Sequence, residues 1–184
     1  MQGLPGLDQV TGLLPPGRYA AGIDQLHARF VASPDFAESA TRKQLWAEWE
    51  QHRLIVDAVT GGVSRLWLGG SFVSGKLDPG DIDVTYLLRA QTFDRLDRES
   101  LASLDELTDR AWCVKHNMRM DAYLVRLPED VSFWQLMPSL FTPLTNDSFR
   151  DIGLYDEDWQ YARNSSPSDS EADRLRRGYV EVLL

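Results

Sequence analysis

The sequence predicts a single α/β (α+β) domain in which helices pack on one face of a mixed β-sheet. Three observations support this fold class. The chain has 184 residues, which is long enough for one domain with a buried core. Hydrophobic residues make up 43% of it and aromatic residues 10%, as expected for a folded protein. Short apolar segments alternate with longer segments of helical periodicity.

Composition and charge exclude several classes of protein function. The formal net charge of -9 argues against a general nucleic-acid binder, because such binding depends on neutralisation of phosphates by Lys and Arg. Cys113 is the only cysteine, which excludes an internal disulfide or a Cys-rich zinc site. No apolar stretch approaches the ~20 residues of a membrane span, and residues 1–14 lack the basic start and apolar run of a targeting segment. We therefore expect a cytoplasmic protein without membrane contact.

The first part of the chain is expected to be an arm followed by a long helix. Residues 1–40 are rich in Gly and Pro, which predicts an extended arm with a short helix near residues 22–30. Residues 41–60 carry apolar side chains at helical spacing, and a glycine pair ends the pattern. His52 lies near the apolar face of this helix, where we expect a half-buried, hydrogen-bonded histidine rather than a metal ligand.

Residues 41–125 are expected to form the core of the domain. Three short segments in it have the composition and the turn boundaries of strands. They are residues 65–69, 81–88 and 118–125. Residues 71–76 suit a single helical turn, and residues 92–111 predict one helix that begins at Thr92.

Residues 126–184 are expected to form a C-terminal extension. Residues 132–140 suit a helix and the polar residues 165–173 suit an exposed loop. Residues 178–184 suit a final strand, with a short helix as the open alternative. Trp159 is expected in the core rather than as a platform for base stacking.

Three aspartates are the candidate catalytic and metal-binding residues. Asp81 and Asp83 point to the same side of their predicted strand, because side chains alternate along a strand. Asp121 lies opposite the apolar row of the next predicted strand. If these strands are neighbours, three carboxylates converge on one side of a sheet. They would repel one another unless protonation, a Lys or Arg, or a divalent cation relieved the repulsion.

A glycine-rich turn precedes these aspartates and is the candidate nucleotide-binding element. The strand at residues 65–69 ends in Gly69, and Gly70 and Ser71 follow directly. Such a turn exposes backbone N–H groups that bind phosphate oxygens. The Ser71 hydroxyl adds a donor, and Lys76 is close enough in sequence to reach a phosphate.

Purely structural interpretations of these residues stay open. Asp81 follows Pro79 and Gly80, where an aspartate is commonly a solvated turn residue. A single aspartate facing solvent, such as Asp121, is ordinary on a strand, and most Gly-Gly-Ser turns are plain tight turns. Asp83, inside an apolar strand, is harder to explain without a cation.

The combined motifs resemble those of the polymerase β-type nucleotidyltransferase superfamily. The likeness rests on Gly70-Ser71, Asp81-x-Asp83 and Arg119-x-Asp121, and it covers about residues 65–125. Within that superfamily, the sequence resembles the minimal members and bacterial nucleotidyltransferase-like proteins that carry a GSF and a DxD motif. The resemblance implies a palm-like mixed sheet and transfer of a nucleoside monophosphate from an NTP to a hydroxyl.

The resemblance also implies roles for individual residues. Asp81, Asp83 and Asp121 would hold two Mg²⁺ (or Mn²⁺) ions, and Asp121 would help to deprotonate the acceptor hydroxyl. The triphosphate would be held by Gly69, Gly70 and Ser71, with Lys76 as the nearest cation.

Two classes of function follow from this interpretation. The first is an enzyme that modifies a small molecule, a protein or an RNA end. A toxin–antitoxin or defence system would suit such an enzyme, an expectation based on family analogy alone. The second is a catalytically silent fold that binds NTP or another protein. In either case the acceptor site would come from the termini, from a protein partner or from a second copy in a homodimer.

Overall fold

The computed structural model describes residues 3–128, 143–162 and 175–184. The described residues form one five-stranded mixed sheet with six α-helices and a short 3₁₀ helix at Pro34–Phe36. The strands are β1 (Gly17–Ala21), β2 (Arg65–Gly69), β3 (Ile82–Leu88), β4 (Met120–Arg126) and β5 (Gly178–Leu183). The helices are α1 (Ile23–Phe30), α2 (Arg42–Thr60), α3 (Ala90–Phe93), α4 (Arg98–Thr108), α5 (Arg110–Lys115) and α6 (Pro143–Trp159). The predicted α/β fold class is confirmed.

The sheet joins the two ends of the chain to its middle. The strand order is β1-β5-β2-β3-β4, with β1 parallel to β5 and β3 parallel to β4. The strand β2 is antiparallel to both of its neighbours, β3 and β5. Because β5 lies inside the sheet, the C-terminal segment is part of the central structure rather than an appendage to it.

The main layer of helices covers one face of the sheet, as predicted. The helices α1, α2 and α4 bury their apolar side chains against this face, which carries Leu66, Leu68, Val84, Tyr86, Met120, Ala122, Val180 and Val182. Helices in proteins are stabilised mainly by such burial of an apolar face against the rest of the structure. Asp83, Thr85 and Leu87 point to the opposite face of the sheet, because side chains alternate along β3.

The opposite face carries a second, smaller core beneath α6. It consists of Trp67, Leu87, Val125, Leu127, Trp159 and Tyr179. The hydroxyl of Tyr179 donates a hydrogen bond to the carboxylate of Asp156, which joins β5 to α6. The helix α6 was not predicted from the sequence, and it covers part of the face that carries the predicted site.

Several sequence-based expectations need correction. Residues 17–21 are a strand of the sheet and not part of a free arm, because β5 pairs with them in parallel. The single helix expected over residues 92–111 is divided into α3, α4 and α5. Thr92 caps none of them, since the Asp97 carboxylate accepts from Ser100 N at the start of α4, and the Asp109 carboxylate accepts from Ala111 N at the start of α5.

Other expectations are confirmed or lie outside the described residues. The predicted segments 22–30, 41–60, 65–69 and 81–88 match observed elements to within one residue, and residues 178–183 form a strand. Residues 71–76 form turns rather than a helical turn. The expected helix at 132–140 and loop at 165–173 lie outside the described residues. No helix in the described ranges is both long and apolar enough to cross a membrane.

Candidate functional site

Three neighbouring strands place the candidate residues in one row across the sheet. Asp83 in β3 lies directly opposite Asp121 in β4, and on its other side it lies opposite Gly69 in β2. Asp81 immediately precedes β3. The two strands are neighbours, which is the condition for convergence, and the three aspartates meet at one end of the sheet.

The turn after β2 is shaped around the Asp83 carboxylate. Gly70 has a φ of 66°, a left-handed conformation that favours glycine. A side-chain carbon at this position would overlap the carboxylate of Asp83. The backbone of the glycine turn and the second predicted aspartate are therefore in direct contact, as a joint phosphate and metal site would require.

Among the described residues, Arg110 brings a positive charge to the site, and the sequence did not reveal it. Its Nη2 lies 2.8 Å from Asp81 Oδ2, and its Nη1 lies 3.8 Å from Asp121 Oδ2. The hydrogen bond to Asp81 raises the pKa of Arg110, and the charges of Asp81, Asp121 and Asp83 act in the same direction. This guanidinium thus offsets part of the negative charge of the three carboxylates.

The loop that carries Ser71 and Lys76 is fixed by a buried arginine. Arg42 is 1% exposed, and four of its five hydrogen bonds go to backbone carbonyls of the loop. The acceptors are the carbonyls of Phe72, Ser74, Lys76, Leu77 and, outside the loop, Phe30. Ser71 is half-buried and Lys76 is exposed. The loop is therefore held from within while both candidate donors stay reachable from solvent.

Trp159 at the end of α6 forms a border of the site. Its ring packs so closely on Gly69 that a side-chain carbon there would overlap it. Trp159 is 6% exposed and contacts Tyr179, so the prediction that it belongs to a core is confirmed. The glycine at position 69 is explained by this ring as well as by the turn.

The donor set suits a divalent cation by its chemistry. Mg²⁺ prefers carboxylate oxygens and is usually held by one or two carboxylates together with substrate phosphates. Here three carboxylates meet beside a glycine turn that a Cβ would obstruct. In the observed conformation, no three His, Cys, Asp or Glu side chains of the described residues are spaced as a ready metal site. Arg110 supplies positive charge to this cluster.

Arg119, part of the third motif, points away from this site. Its side chain forms hydrogen bonds with both carboxylate oxygens of Glu48, an α2 residue on the other face of the sheet. The Arg119 N–H also donates to Glu48. In this structure Arg119 joins β4 to α2, and Asp121 is the motif residue that reaches the carboxylate cluster.

His52 is structural and more deeply buried than expected. It is 0% exposed, and its Nε2 lies 2.9 Å from the carbonyl oxygen of Leu107. Because a carbonyl only accepts, Nε2 carries the proton and Nδ1 accepts from the Tyr86 hydroxyl at 2.8 Å. Burial lowers the pKa of His52, against a smaller opposite effect of the Leu107 hydrogen bond.

Comparison with known proteins gives one match. The family model described as "Family of unknown function (DUF6932)" matches residues 5–183, which is almost the whole chain. No curated protein and no solved structure matches. The matched range includes both terminal strands of the sheet as well as the carboxylate cluster.

Proposed function

This chain belongs to the family of unknown function DUF6932, and from its site we propose that it is a metal-dependent nucleotidyltransferase. It would transfer a nucleoside monophosphate from an NTP to a hydroxyl of a small molecule, a protein or an RNA end. The observation that supports this proposal is the row formed by Asp121, Asp83 and the glycine turn. It brings a carboxylate cluster into contact with a phosphate-binding type of turn.

Each group would have a separate task in the transfer. Asp81, Asp83 and Asp121 would hold two Mg²⁺ or Mn²⁺ ions, and the backbone of the turn at Gly70 would orient the triphosphate. When bound, the ions would activate the attacking hydroxyl and stabilise the departing pyrophosphate. The acceptor oxygen forms a bond to the α-phosphorus, and the bond from that phosphorus to the bridging oxygen breaks. The acceptor proton passes to the Asp121 carboxylate.

Thermal unfolding with nucleotides and metals tests this proposal without knowledge of the acceptor. The protein is heated with each NTP, with and without Mg²⁺ or Mn²⁺. A ligand at ~100 times its dissociation constant stabilises the folded state by about 2.7 kcal/mol. For a chain of this size, that corresponds to a shift of about 5–10 °C in the unfolding temperature. We expect a metal-dependent shift with at least one NTP.

A pair of double variants makes the test specific. Asp81→Asn/Asp83→Asn removes two charges from the cluster, and Asp105→Asn/Glu106→Gln removes two charges from the exposed surface of α4. We expect the first variant to lose the shift and the second to keep it. A shift that survives in Asp81→Asn/Asp83→Asn, or no shift with any NTP and metal, contradicts the proposal.

One observation favours a second function, a catalytically silent module that binds NTP or a protein. Arg110 already offsets part of the carboxylate charge, which lowers the repulsion that a metal would otherwise have to relieve. A silent NTP-binding module would show a nucleotide shift that does not depend on Mg²⁺ or Mn²⁺. The same unfolding measurement therefore separates the two functions.

A further inference from the structure

We propose that Arg110 alternates with the divalent metal at the carboxylate cluster and binds the NTP triphosphate once the metal has displaced it. This inference rests on the proposed function and adds a substrate-binding residue to it. Arg110 would be the cation that couples the two events, because its guanidinium and a metal ion would compete for the same carboxylate oxygens of Asp81 and Asp121. When a metal ion takes its place on the carboxylates, the Arg110 guanidinium becomes available to bind the triphosphate.

The contacts of Arg110 overlap with those proposed for the metal ions. Its guanidinium reaches Asp81, just before β3, and Asp121 in β4. Asp83, which lies directly opposite Asp121, acts on Arg110 through its charge. Arg110 thus contacts two of the three carboxylates that are proposed as metal ligands.

Arg110 is fixed at its backbone, whereas its side chain is largely exposed and is held by its ion pairs with Asp81 and Asp121. It is the first residue of α5, and Asp109 caps that helix through hydrogen bonds to Ala111 N and Trp112 N. The side chain itself is 56% exposed. Ion pairs with such exposure contribute little to stability, so the guanidinium can exchange its partners at small cost.

Other arginines of the described residues contrast with Arg110. Arg42 is buried among backbone carbonyls, and Arg119 binds both oxygens of Glu48 on the other face of the sheet. Neither can reach the cluster without disrupting the fold. Arg110 alone of these three has both the position and the freedom to move from the carboxylates to a phosphate, which a guanidinium binds with two parallel hydrogen bonds.

The test measures metal binding before any nucleotide is added. Mn²⁺ is titrated into wild type, Arg110→Gln and Arg110→Lys, and free Mn²⁺ is followed by electron paramagnetic resonance. Arg110→Gln should bind Mn²⁺ at least about fivefold more tightly, since a partly exposed positive charge has been removed. Arg110→Lys keeps that charge and should bind Mn²⁺ about as wild type does. ATP is then titrated at saturating Mn²⁺, where Arg110→Gln should bind ATP at least about fivefold more weakly.

Arg98→Gln is the matched control. Arg98 is the exposed first residue of α4, behind the Asp97 cap, as Arg110 is the first residue of α5 behind Asp109. It should leave both affinities unchanged. If Arg110→Gln binds Mn²⁺ as wild type does or more weakly, Arg110 does not alternate with the metal at the carboxylates. If Arg110→Gln binds ATP as wild type does, Arg110 does not bind the triphosphate. If wild type binds Mn²⁺ and NTP normally in these cases, only the inference fails, whereas wild type that binds neither contradicts the proposed function itself.

Discussion

The carboxylate of Asp83 occupies the space that a side chain would need at Gly70. These two residues come from different parts of the hairpin formed by β2 and β3, and their contact joins the turn to the carboxylate cluster. Position 70 therefore requires glycine for two reasons, its positive φ and the proximity of the Asp83 carboxylate. A change at either residue is expected to affect the other.

A substitution of Gly70 should reveal this coupling. Gly70→Ala should lower the free energy of unfolding by about 2–4 kcal/mol, because it adds the cost of a positive φ to the overlap with Asp83. In an Asp83→Ala background only the backbone cost remains, about 1–2 kcal/mol. Urea unfolding of the four proteins of this cycle gives the coupling energy. Additive effects would mean that the carboxylate does not restrict position 70.

Arg42 should be among the most sensitive positions of the chain. Arg42→Met leaves several buried carbonyls without their donor, and we expect a loss of about 3–5 kcal/mol in the free energy of unfolding. Burial lowers the pKa of Arg42 to about 10, so the residue remains charged at neutral pH. Lys43→Met, one residue along α2 at an exposed position, is the control and should change little.

Hydrogen exchange tests whether Arg42 holds the loop that carries Ser71 and Lys76. In Arg42→Lys, which keeps the charge but not the five donors, amide exchange in residues 71–77 should accelerate more than in β2. Equal losses of stability in Arg42→Met and Lys43→Met would show that the carbonyl contacts contribute nothing.

Much of this architecture follows from local patterns in the sequence. Helical spacing and the glycine pair define α2, and alternation along β3 puts Asp81 and Asp83 on one side. The same alternation correctly separates Asp121 from the apolar row of β4. The convergence of the three aspartates needs only one tertiary fact, that β3 and β4 are neighbours.

The features that were missed depend on distant partners or on weak signals. Residues 17–21 form a strand because β5, at the other end of the chain, pairs with them. Asp97 and Asp109 are good N-cap residues inside a predicted helix, and they were the available signal for its division. A lone arginine such as Arg110 has no sequence pattern that identifies Asp81 as its partner.

The stability of the protein should decrease as the pH falls below about 6.5, in part because of His52. Burial lowers the pKa of His52 in the folded state, so between this lowered pKa and about 6.5 the unfolded chain binds a proton that the folded chain does not. The free energy of unfolding should therefore fall by up to about 1.4 kcal/mol per pH unit in that range. Above about 6.5 this contribution is complete and no longer changes with pH.

A comparison of two proteins isolates this contribution. Wild type and His52→Gln share every other titrating group, so the difference between their unfolding free energies, measured from pH 8 to 5, reports on His52 alone. The difference should diminish as the pH falls. Parallel curves would show that His52 takes up its proton equally well in both states.

Neutralising the aspartates one at a time should rank them by their contact with Arg110. Within the described residues the cluster has three carboxylates and one guanidinium, so Asp83→Asn removes a charge that its two neighbouring carboxylates repel, while retaining size and a hydrogen-bonding oxygen. We expect it to leave the free energy of unfolding unchanged or to raise it by up to about 1 kcal/mol. Asp81→Asn removes the charge 2.8 Å from Arg110 and should lower the free energy of unfolding by up to about 1 kcal/mol.

Salt and chelator sharpen this comparison. The variants are unfolded with urea in EDTA, at low ionic strength and in about 0.5 M NaCl, where exposed charges are largely screened. The difference between Asp83→Asn and Asp81→Asn should shrink in high salt if it arises from charge. A loss of several kcal/mol in Asp83→Asn at both salt concentrations would make Asp83 a structural residue, and the proposed metal site would lose its central ligand.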